Sequence, residues 1–162
     1  MIIMGVDPGI ARVGWSIIKR LGPELKPIAY GCIETDKGKN AETRLNEIYD
    51  AITHVLVTHH PVSMAVEDLF FSTNVKTAIG VGQSRGVVLL AASKTHTPVV
   101  SYSPLAVKRA ITGDGNADKK QVSRMVKLIL HLTVAPSLDD TADALAIAMT
   151  HAYSYKVKQQ FL

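Results

Sequence analysis

The chain has 162 residues, of which 47% are hydrophobic and 20% charged, so it is long and apolar enough to bury a core as one domain. No apolar run approaches the length of a membrane span, and the start of the chain lacks the basic region of a signal peptide. The single cysteine excludes an internal disulfide and a multi-cysteine zinc site, and suits a cytoplasmic protein. A net charge of +4 is compatible with a polyanionic partner.

The first 35 residues predict three strands. An apolar run from Met1 to Val6 ends at Asp7-Pro8-Gly9, which is typical of a buried strand that ends in a turn. Two further strand-like runs cover Val13–Lys19 and Ile28–Thr35, with Leu21-Gly22-Pro23 between them. The three strands are expected to form an antiparallel meander.

Helices and strands alternate in the rest of the chain. Helical periodicity predicts an amphipathic helix over Ala41–His59, which Pro61 follows. The remaining predicted elements, in chain order, are a strand at Val62–Val66, a helix at Asn74–His96, a strand at Pro98–Tyr102, a short helix capped by Ser103, a helix around Val122–Leu130 and a helix from Asp139 to about Tyr153. The order predicts an α/β fold with one mixed five-stranded sheet flanked by helices.

Acidic residues stand at the ends of two predicted strands. Asp7 ends the first strand and Glu67 ends the fourth, so a parallel pairing of these strands would bring both carboxylates to one edge of the sheet. Asp140 and Asp143 share one face of the last helix, whose alanines allow it to lie close to a sheet. Four clustered carboxylates would repel one another unless divalent cations neutralise them, and oxygen ligands suit Mg²⁺ or Mn²⁺. Two such ions would support phosphoryl chemistry.

Each acidic residue also has an ordinary structural interpretation. Asp7 before Pro8-Gly9 would initiate a turn, and acids in the first turn of a helix are favoured by the helix dipole. Each placement taken singly favours a structural role, whereas the four acidic residues taken together favour a functional site.

Four motifs together resemble the RuvC family of bacterial Holliday-junction resolvases, the crossover junction endodeoxyribonucleases. They lie in order over Met1 to about Tyr153, and comprise Gly5-Val6-Asp7-Pro8-Gly9 with Gly14, Val66-Glu67-Asp68-Leu69-Phe70, Gly82-Gln83-Ser84-Arg85-Gly86, and Asp140-Thr141-Ala142-Asp143-Ala144-Leu145-Ala146 with Thr150-His151. The resemblance implies an RNase H-like (integrase-like) fold, a single nuclease domain over residues 1–162, and a homodimer that makes paired Mg²⁺-dependent nicks in a four-way DNA junction. It also implies a branch-migration motor as partner.

The resemblance assigns roles to individual positions. Asp7, Glu67, Asp140 and Asp143 match the four catalytic, metal-binding carboxylates of the family, with two Mg²⁺ ions per site that Mn²⁺ can replace. Phe70 matches an aromatic residue that acts on junction bases. Lys108 and Lys119 match basic positions associated with DNA contact and catalysis. The chain ends soon after the last helix and lacks the longer basic tail of some members, which affects only DNA contacts made by such a tail.

Two further features have both a functional and a structural interpretation. Lys120, Arg124 and Lys127 share one face of their helix, and either contact DNA phosphates or form an ordinary solvated face. Gly82 and Gly86 are four residues apart on a helix, and mark either a dimer interface or close packing on the sheet. At a dimer interface, Val81, Val88 and Leu89 of the same helix would supply apolar surface.

Three other functions are alternatives to junction resolution. An actin-like or sugar-kinase-like ATPase also opens with a strand that ends in Asp-x-Gly, but needs two domains, and this chain has no P-loop motif. A related nuclease that acts on RNA precursors has the same fold. A non-catalytic nucleic-acid-binding module is disfavoured by the paired Asp140 and Asp143.

Overall fold

Three consecutive strands pair antiparallel in the computed structural model, which describes residues 1–68, 75–134, 136 and 138–159, and the side chains among them except at 75–77 and 156–159. The strands are β1 (Ile2–Asp7), β2 (Arg12–Leu21) and β3 (Glu24–Glu34). Gly22 adopts the left-handed conformation (φ 61°) that the tight β2–β3 turn requires. The predicted meander is confirmed, and β2 and β3 are longer than the apolar runs that predicted them.

Two parallel strands complete the sheet on the other side of β1. They are β4 (Ser63–Glu67) and β5 (Val99–Tyr102), and the strand order is β3-β2-β1-β4-β5. Val6 pairs with Val66 in the parallel β1–β4 register, so the next residue of each strand, Asp7 and Glu67, lies at the same edge. The parallel pairing on which the predicted site depends is therefore present.

Five helices in the described part of the chain cover the two faces of the sheet. They are α1 (Ala41–His59), α2 (Val75–Lys94), α3 (Pro104–Thr112), α4 (Lys119–Ile129) and α5 (Asp139–Gln159). One core lies under α1 and α2 and contains Ile48, Ile52 and Val88, whereas the other lies under α3, α4 and α5. The predicted α/β fold with helices on both faces is confirmed.

Glycines let α5 approach the sheet unusually closely. A Cβ atom at Gly14 would overlap the carbonyl oxygen of Asp140, and one at Gly5 would overlap that of Ala144. Ser16, which pairs with Gly5 across the strands, donates its hydroxyl to the Ala144 carbonyl at 2.8 Å. The first turns of α5 are therefore held against the β1–β2 hairpin by backbone-to-backbone contact.

Helix ends differ from the sequence prediction by a few residues. Helix α2 ends at Lys94, where the Thr95 hydroxyl donates to two carbonyls of the last turn and His96 turns left-handed (φ 55°). Helix α5 continues past Tyr153 to Gln159 because no glycine or proline interrupts it. No helix in the described parts of the chain is long and apolar enough to cross a membrane.

Candidate active site

A pocket of about 430 Å³ opens at the edge of the sheet where β1 and β4 end. Three carboxylates from separate elements line it, Asp7 from β1, Glu67 from β4 and Asp143 from α5. The parallel register supplies the first two, and the close packing of α5 on Gly5 and Gly14 supplies the third. The structure thus brings together three of the four predicted carboxylates.

Asp140 lies at the margin of this site. It does not line the pocket, and its carboxylate contacts Arg12 Nη1 at 3.5 Å. Its negative charge nevertheless contributes to raising the pKa of Asp7, so the two groups interact electrostatically. The i, i+3 spacing therefore places Asp140 beside the cluster, with its side chain directed to a cation on β2.

The two strand-borne carboxylates hold their protons unusually tightly. Burial, followed by the negative charges of Glu67, Asp143 and Asp140, raises the pKa of Asp7 to about 8. Burial and the charge of Asp143 raise the pKa of Glu67 to about 7. The folded protein thus concentrates negative charge where water solvates it poorly, which a bound cation would relieve.

Two lysines provide part of the opposing charge. Lys119, at the start of α4, forms an ion pair with Asp143 at 3.2 Å, and Lys108 of α3 lines the same pocket. Lys119 lowers the pKa values of Asp7, Glu67 and Asp143, while Lys108 lowers that of Glu67. Both basic positions predicted from the resemblance therefore belong to the carboxylate site.

The residues present fit a divalent metal, although their side chains are not arranged around one. Among the described residues, no three His, Cys, Asp or Glu side chains are placed to hold an ion together. The ion pairs explain this, since Asp143 engages Lys119 and Asp140 engages Arg12. An all-carboxylate set suits a hard cation such as Mg²⁺, provided that Asp140 and Asp143 rotate away from their basic partners.

The other predicted residues lie outside the pocket or outside the described residues. Phe70 falls in the segment that the structure does not describe. Lys120 and Arg124 are exposed and Lys127 is half-buried, and none of the three lines the pocket. Gly86 is exposed, and a Cβ there would meet no atom of the described residues within 4 Å, so packing among these residues does not explain it.

Arg12, Ser84 and Arg85 contact the site but were not predicted as functional residues. Arg12 follows from the β1–β2 hairpin, because the Asp7–Gly14 pair places it just beyond the edge where Asp7 lies. Ser84 and Arg85 stand inside a family motif, but their contacts are with backbone atoms distant in sequence. No local pattern reveals such contacts.

His151, eight residues after Asp143 on α5, belongs to a buried network. Its ring nitrogens hydrogen-bond to Ser63 Oγ at 2.7 Å and to Tyr102 Oη at 2.9 Å. The network ties α5 to β4 and β5, and thereby fixes the helix that carries Asp143.

The chain matches the family model of the crossover junction endodeoxyribonuclease RuvC over residues 3–151. It is 49% identical to RuvC of Brevibacillus brevis, in an alignment that covers 94% of this chain and 92% of the relative. It is 46% identical to RuvC of Halothermothrix orenii, in an alignment that covers 99% of this chain and 98% of the relative. It also superposes on Thermus thermophilus RuvC in complex with a Holliday junction substrate, with a TM-score of 0.93 and 36% identity over 98% of this chain and 96% of the other.

A more distant likeness concerns the fold alone. The yeast mitochondrial Holliday junction resolvase superposes with a TM-score of 0.64 at 13% identity, covering 99% of this chain and 86% of the other. The sheet order, the strand-end carboxylates and the match over nearly the whole length agree, and the chain belongs to the RuvC family of crossover junction endodeoxyribonucleases.

Proposed function

We propose that this protein is a structure-selective endodeoxyribonuclease that resolves four-way DNA junctions by paired phosphodiester hydrolysis during recombination and repair. The observation that carries the proposal is the convergence of Asp7, Glu67 and Asp143 on one pocket, in a chain that matches RuvC from residue 3 to 151. One such pocket is compatible with one nick, so paired nicks require two copies. Residues 1–162 would form one nuclease domain, since the five strands of the described residues belong to one sheet.

The metal ligands would be Asp7, Glu67, Asp140 and Asp143, with Mg²⁺ as the ion and Mn²⁺ as a substitute. Two divalent ions bound there would supply an activated water and stabilise the leaving oxygen of a phosphodiester. Asp7 and Glu67 must lose their protons to bind cations, and their raised pKa values make this step dependent on pH. Lys119 favours the ionised carboxylates before a cation arrives, and Lys108 lines the pocket where it can face the phosphate.

The basic residues around the site would hold the DNA backbone. Lys108 and Lys119 line the pocket, whereas Lys120, Arg124 and Lys127 extend the same basic character along α4. Phe70, which follows Glu67 by three residues, would act on junction bases. If the α4 residues contact phosphates, each single alanine variant lowers affinity for all DNA alike and reduces the salt slope by about one unit.

The working unit would be a two-fold symmetric homodimer with α2 at its interface. Exposed Gly86 leaves room for a second backbone, and the half-exposed Leu90 offers apolar surface on the same helix. Val88, which the sequence suggested as part of this apolar surface, is fully buried in the core under α1 and α2 and does not contribute. A branch-migration motor would deliver the junction to this dimer.

The decisive experiment incubates the protein with Mg²⁺ and a labelled four-way junction, beside duplex, single-stranded and RNA substrates. Asp7→Asn and Glu67→Gln should abolish cleavage while retaining junction binding in Ca²⁺, because the acids bind metal rather than DNA. Asp50→Asn, an exposed carboxylate on α1, serves as the control and should cleave normally. Near-normal cleavage by either site variant would contradict the metal assignment, and preference for RNA would favour the RNA-processing alternative.

A further inference from the structure

Helix α2 contacts the backbone just after the strand that carries Asp7. Ser84 is fully buried, and its hydroxyl donates to the carbonyl of Gly9 at 3.0 Å. One turn earlier, Gly80 brings α2 close to the same turn, since a Cβ there would lie 3.1 Å from Ile10 Cγ2. The turn that follows Asp7 is therefore held by α2 through both steric fit and a hydrogen bond.

The next residue of α2 contacts the end of the other catalytic strand. Arg85 Nε donates to the carbonyl of Glu67 at 3.3 Å. Its Nη2 atom donates to Ser101 Oγ at 2.7 Å and to Asp68 Oδ1 at 3.4 Å, and the side chain is only 19% exposed. The guanidinium thus joins α2 to the ends of both β4 and β5.

Adjacent residues of one helix therefore restrain the two strand ends whose carboxylates line the pocket. A carbonyl fixed by a hydrogen bond limits rotation of its own peptide unit, and so limits where the side chain of the same residue can point. Arg85 acts in this way on Glu67 itself, whereas Ser84 acts two residues after Asp7. Neither side chain lines the pocket, so neither serves as a ligand there.

We propose that Arg85 and Ser84 are positioning residues of the metal site, which hold the backbone at Glu67 and after Asp7 so that the two carboxylates can share a cation. The proposal rests on the function proposed above and adds the residues that preorganise its ligands. Groups that orient metal ligands change metal affinity or activity by about 10- to 100-fold when removed. Arg85, which contacts the ligand residue directly, should have the larger effect of the two.

The test measures Mn²⁺ binding to the full-length protein without DNA, by the relaxation of water protons, together with Mn²⁺-dependent junction cleavage. Arg85→Met should weaken Mn²⁺ binding and raise the Mn²⁺ concentration for half-maximal cleavage by about tenfold, with junction binding in Ca²⁺ unchanged. Arg85→Lys should restore part of the affinity, because its ammonium can still reach one of the acceptors. Ser84→Ala should weaken Mn²⁺ binding to a smaller extent.

Asp68→Asn provides a matched control. It removes the exposed partner of Arg85 but leaves the bonds to the Glu67 carbonyl and to Ser101, so Mn²⁺ binding should stay at the wild-type value. A lower melting temperature in Arg85→Met with an unchanged Mn²⁺ affinity would make Arg85 merely structural and overturn the proposal. If Arg85→Met does not fold, Arg85→Lys and Ser101→Ala decide, and wild-type Mn²⁺ affinity in both would overturn it.

The same measurements separate this proposal from the proposed function. If Glu67→Gln abolishes cleavage and Arg85→Met and Arg85→Lys retain wild-type Mn²⁺ dependence, the nuclease assignment stands and only the positioning role fails. If the wild-type protein binds Mn²⁺ but cuts no junction, the function fails, and weaker Mn²⁺ binding by Arg85→Met would still support the positioning role.

Discussion

The carboxylates on the strands and those on the last helix reach the site in different electrostatic states. Among the described residues, neither Asp7 nor Glu67 forms an ion pair with a basic side chain. Their pKa values rise to about 8 and about 7, mainly through burial. Asp140 and Asp143 each contact a basic side chain, Arg12 at 3.5 Å and Lys119 at 3.2 Å.

The difference indicates how the site can exist without metal. Lys119 offsets part of the charge on Asp143, whereas protons offset the charge on the strand-borne pair near neutral pH. Metal binding must therefore displace protons from Asp7 and Glu67 and lysine from Asp143. The two sets also differ in how they are placed, since hydrogen-bonded strands fix one and the close approach of α5 fixes the other.

Moving the carboxylates of α5 away from those of the strands should have the largest effect on stability and cleavage. Gly14→Ala would force a Cβ into the Asp140 carbonyl oxygen, so α5 must move and carry both of its carboxylates away from the strands. We expect a loss of about 3 kcal/mol in the free energy of unfolding, at the upper end for overpacking, together with loss of cleavage. Urea denaturation and junction cleavage measure the two effects.

Gly38→Ala is the matched control for this substitution. The new Cβ would meet only the Asp36 side chain, at 3.3 Å in an exposed turn, so stability and cleavage should stay near wild type. Equal stability of the Gly14→Ala and Gly38→Ala proteins would show that close backbone packing does not hold the helix-borne set in place.

Neutralising one strand-borne carboxylate should have the next largest effect. The folded-state pKa of Asp7, about 8, exceeds its usual value of 3.8, so the folded state binds more protons than the unfolded state between these values. Stability of the metal-free protein therefore falls as pH rises through this window, and Glu67 acts in the same direction up to about 7. Asp7→Asn should flatten this profile and gain about 2 kcal/mol near pH 8.

Denaturation of the metal-free proteins at several pH values measures this gain. Adding Mg²⁺ at high pH should stabilise the wild type more than Asp7→Asn, because the cation relieves charge that the variant lacks. Parallel profiles of stability against pH for the two proteins would mean that folding does not raise the pKa of Asp7.

Elements and strand ends were predictable because their signals are local. The period of the apolar residues defined α1 from Ala41 to His59 at both ends, and the acids that stop two apolar runs identified Asp7 and Glu67. Parallel pairing of β1 and β4 followed from the helical connection between them. The basic partners of the acids were harder to predict from the sequence, although the register of the β1–β2 hairpin alone would have placed Arg12 beside this edge.

Contacts between distant parts of the chain were not predictable in the same way. Gly14 and Asp140 are 126 positions apart, and nothing near either residue indicates that their backbones touch. Val88 was predicted at a dimer interface because it shares a helix with the glycines, but it is fully buried in the core under α1 and α2. Local periodicity assigns a face to a residue, whereas the packing of other elements decides whether that face meets the core or a partner.

Removing the positive charge of Lys119, the partner of Asp143, should give a smaller effect, which appears in the pH profile of cleavage. Burial raises the pKa values of Asp7, Glu67 and Asp143, and the Lys119 ammonium lowers all three. Without it the acids keep their protons to higher pH, so the acid limb of the cleavage profile in Lys119→Met should move up by about half a unit. Lys120→Met, which removes the neighbouring exposed charge, is the control. Superimposable profiles for the two variants would contradict this role.

The smallest effect on stability is expected from the ion pair between Arg12 and Asp140, which is exposed to solvent. Arg12 and Asp140 are 3.5 Å apart, with half of the Arg12 side chain exposed, and exposed ion pairs contribute only about 0–1 kcal/mol. Arg12→Met should therefore change the free energy of unfolding by less than about 0.5 kcal/mol, measured by urea denaturation beside Gly14→Ala. Both substitutions affect Asp140, one through its side chain and the other through its backbone. A loss in Arg12→Met as large as in Gly14→Ala would mean that the ion pair, rather than the glycine contact, holds the start of α5 on the sheet.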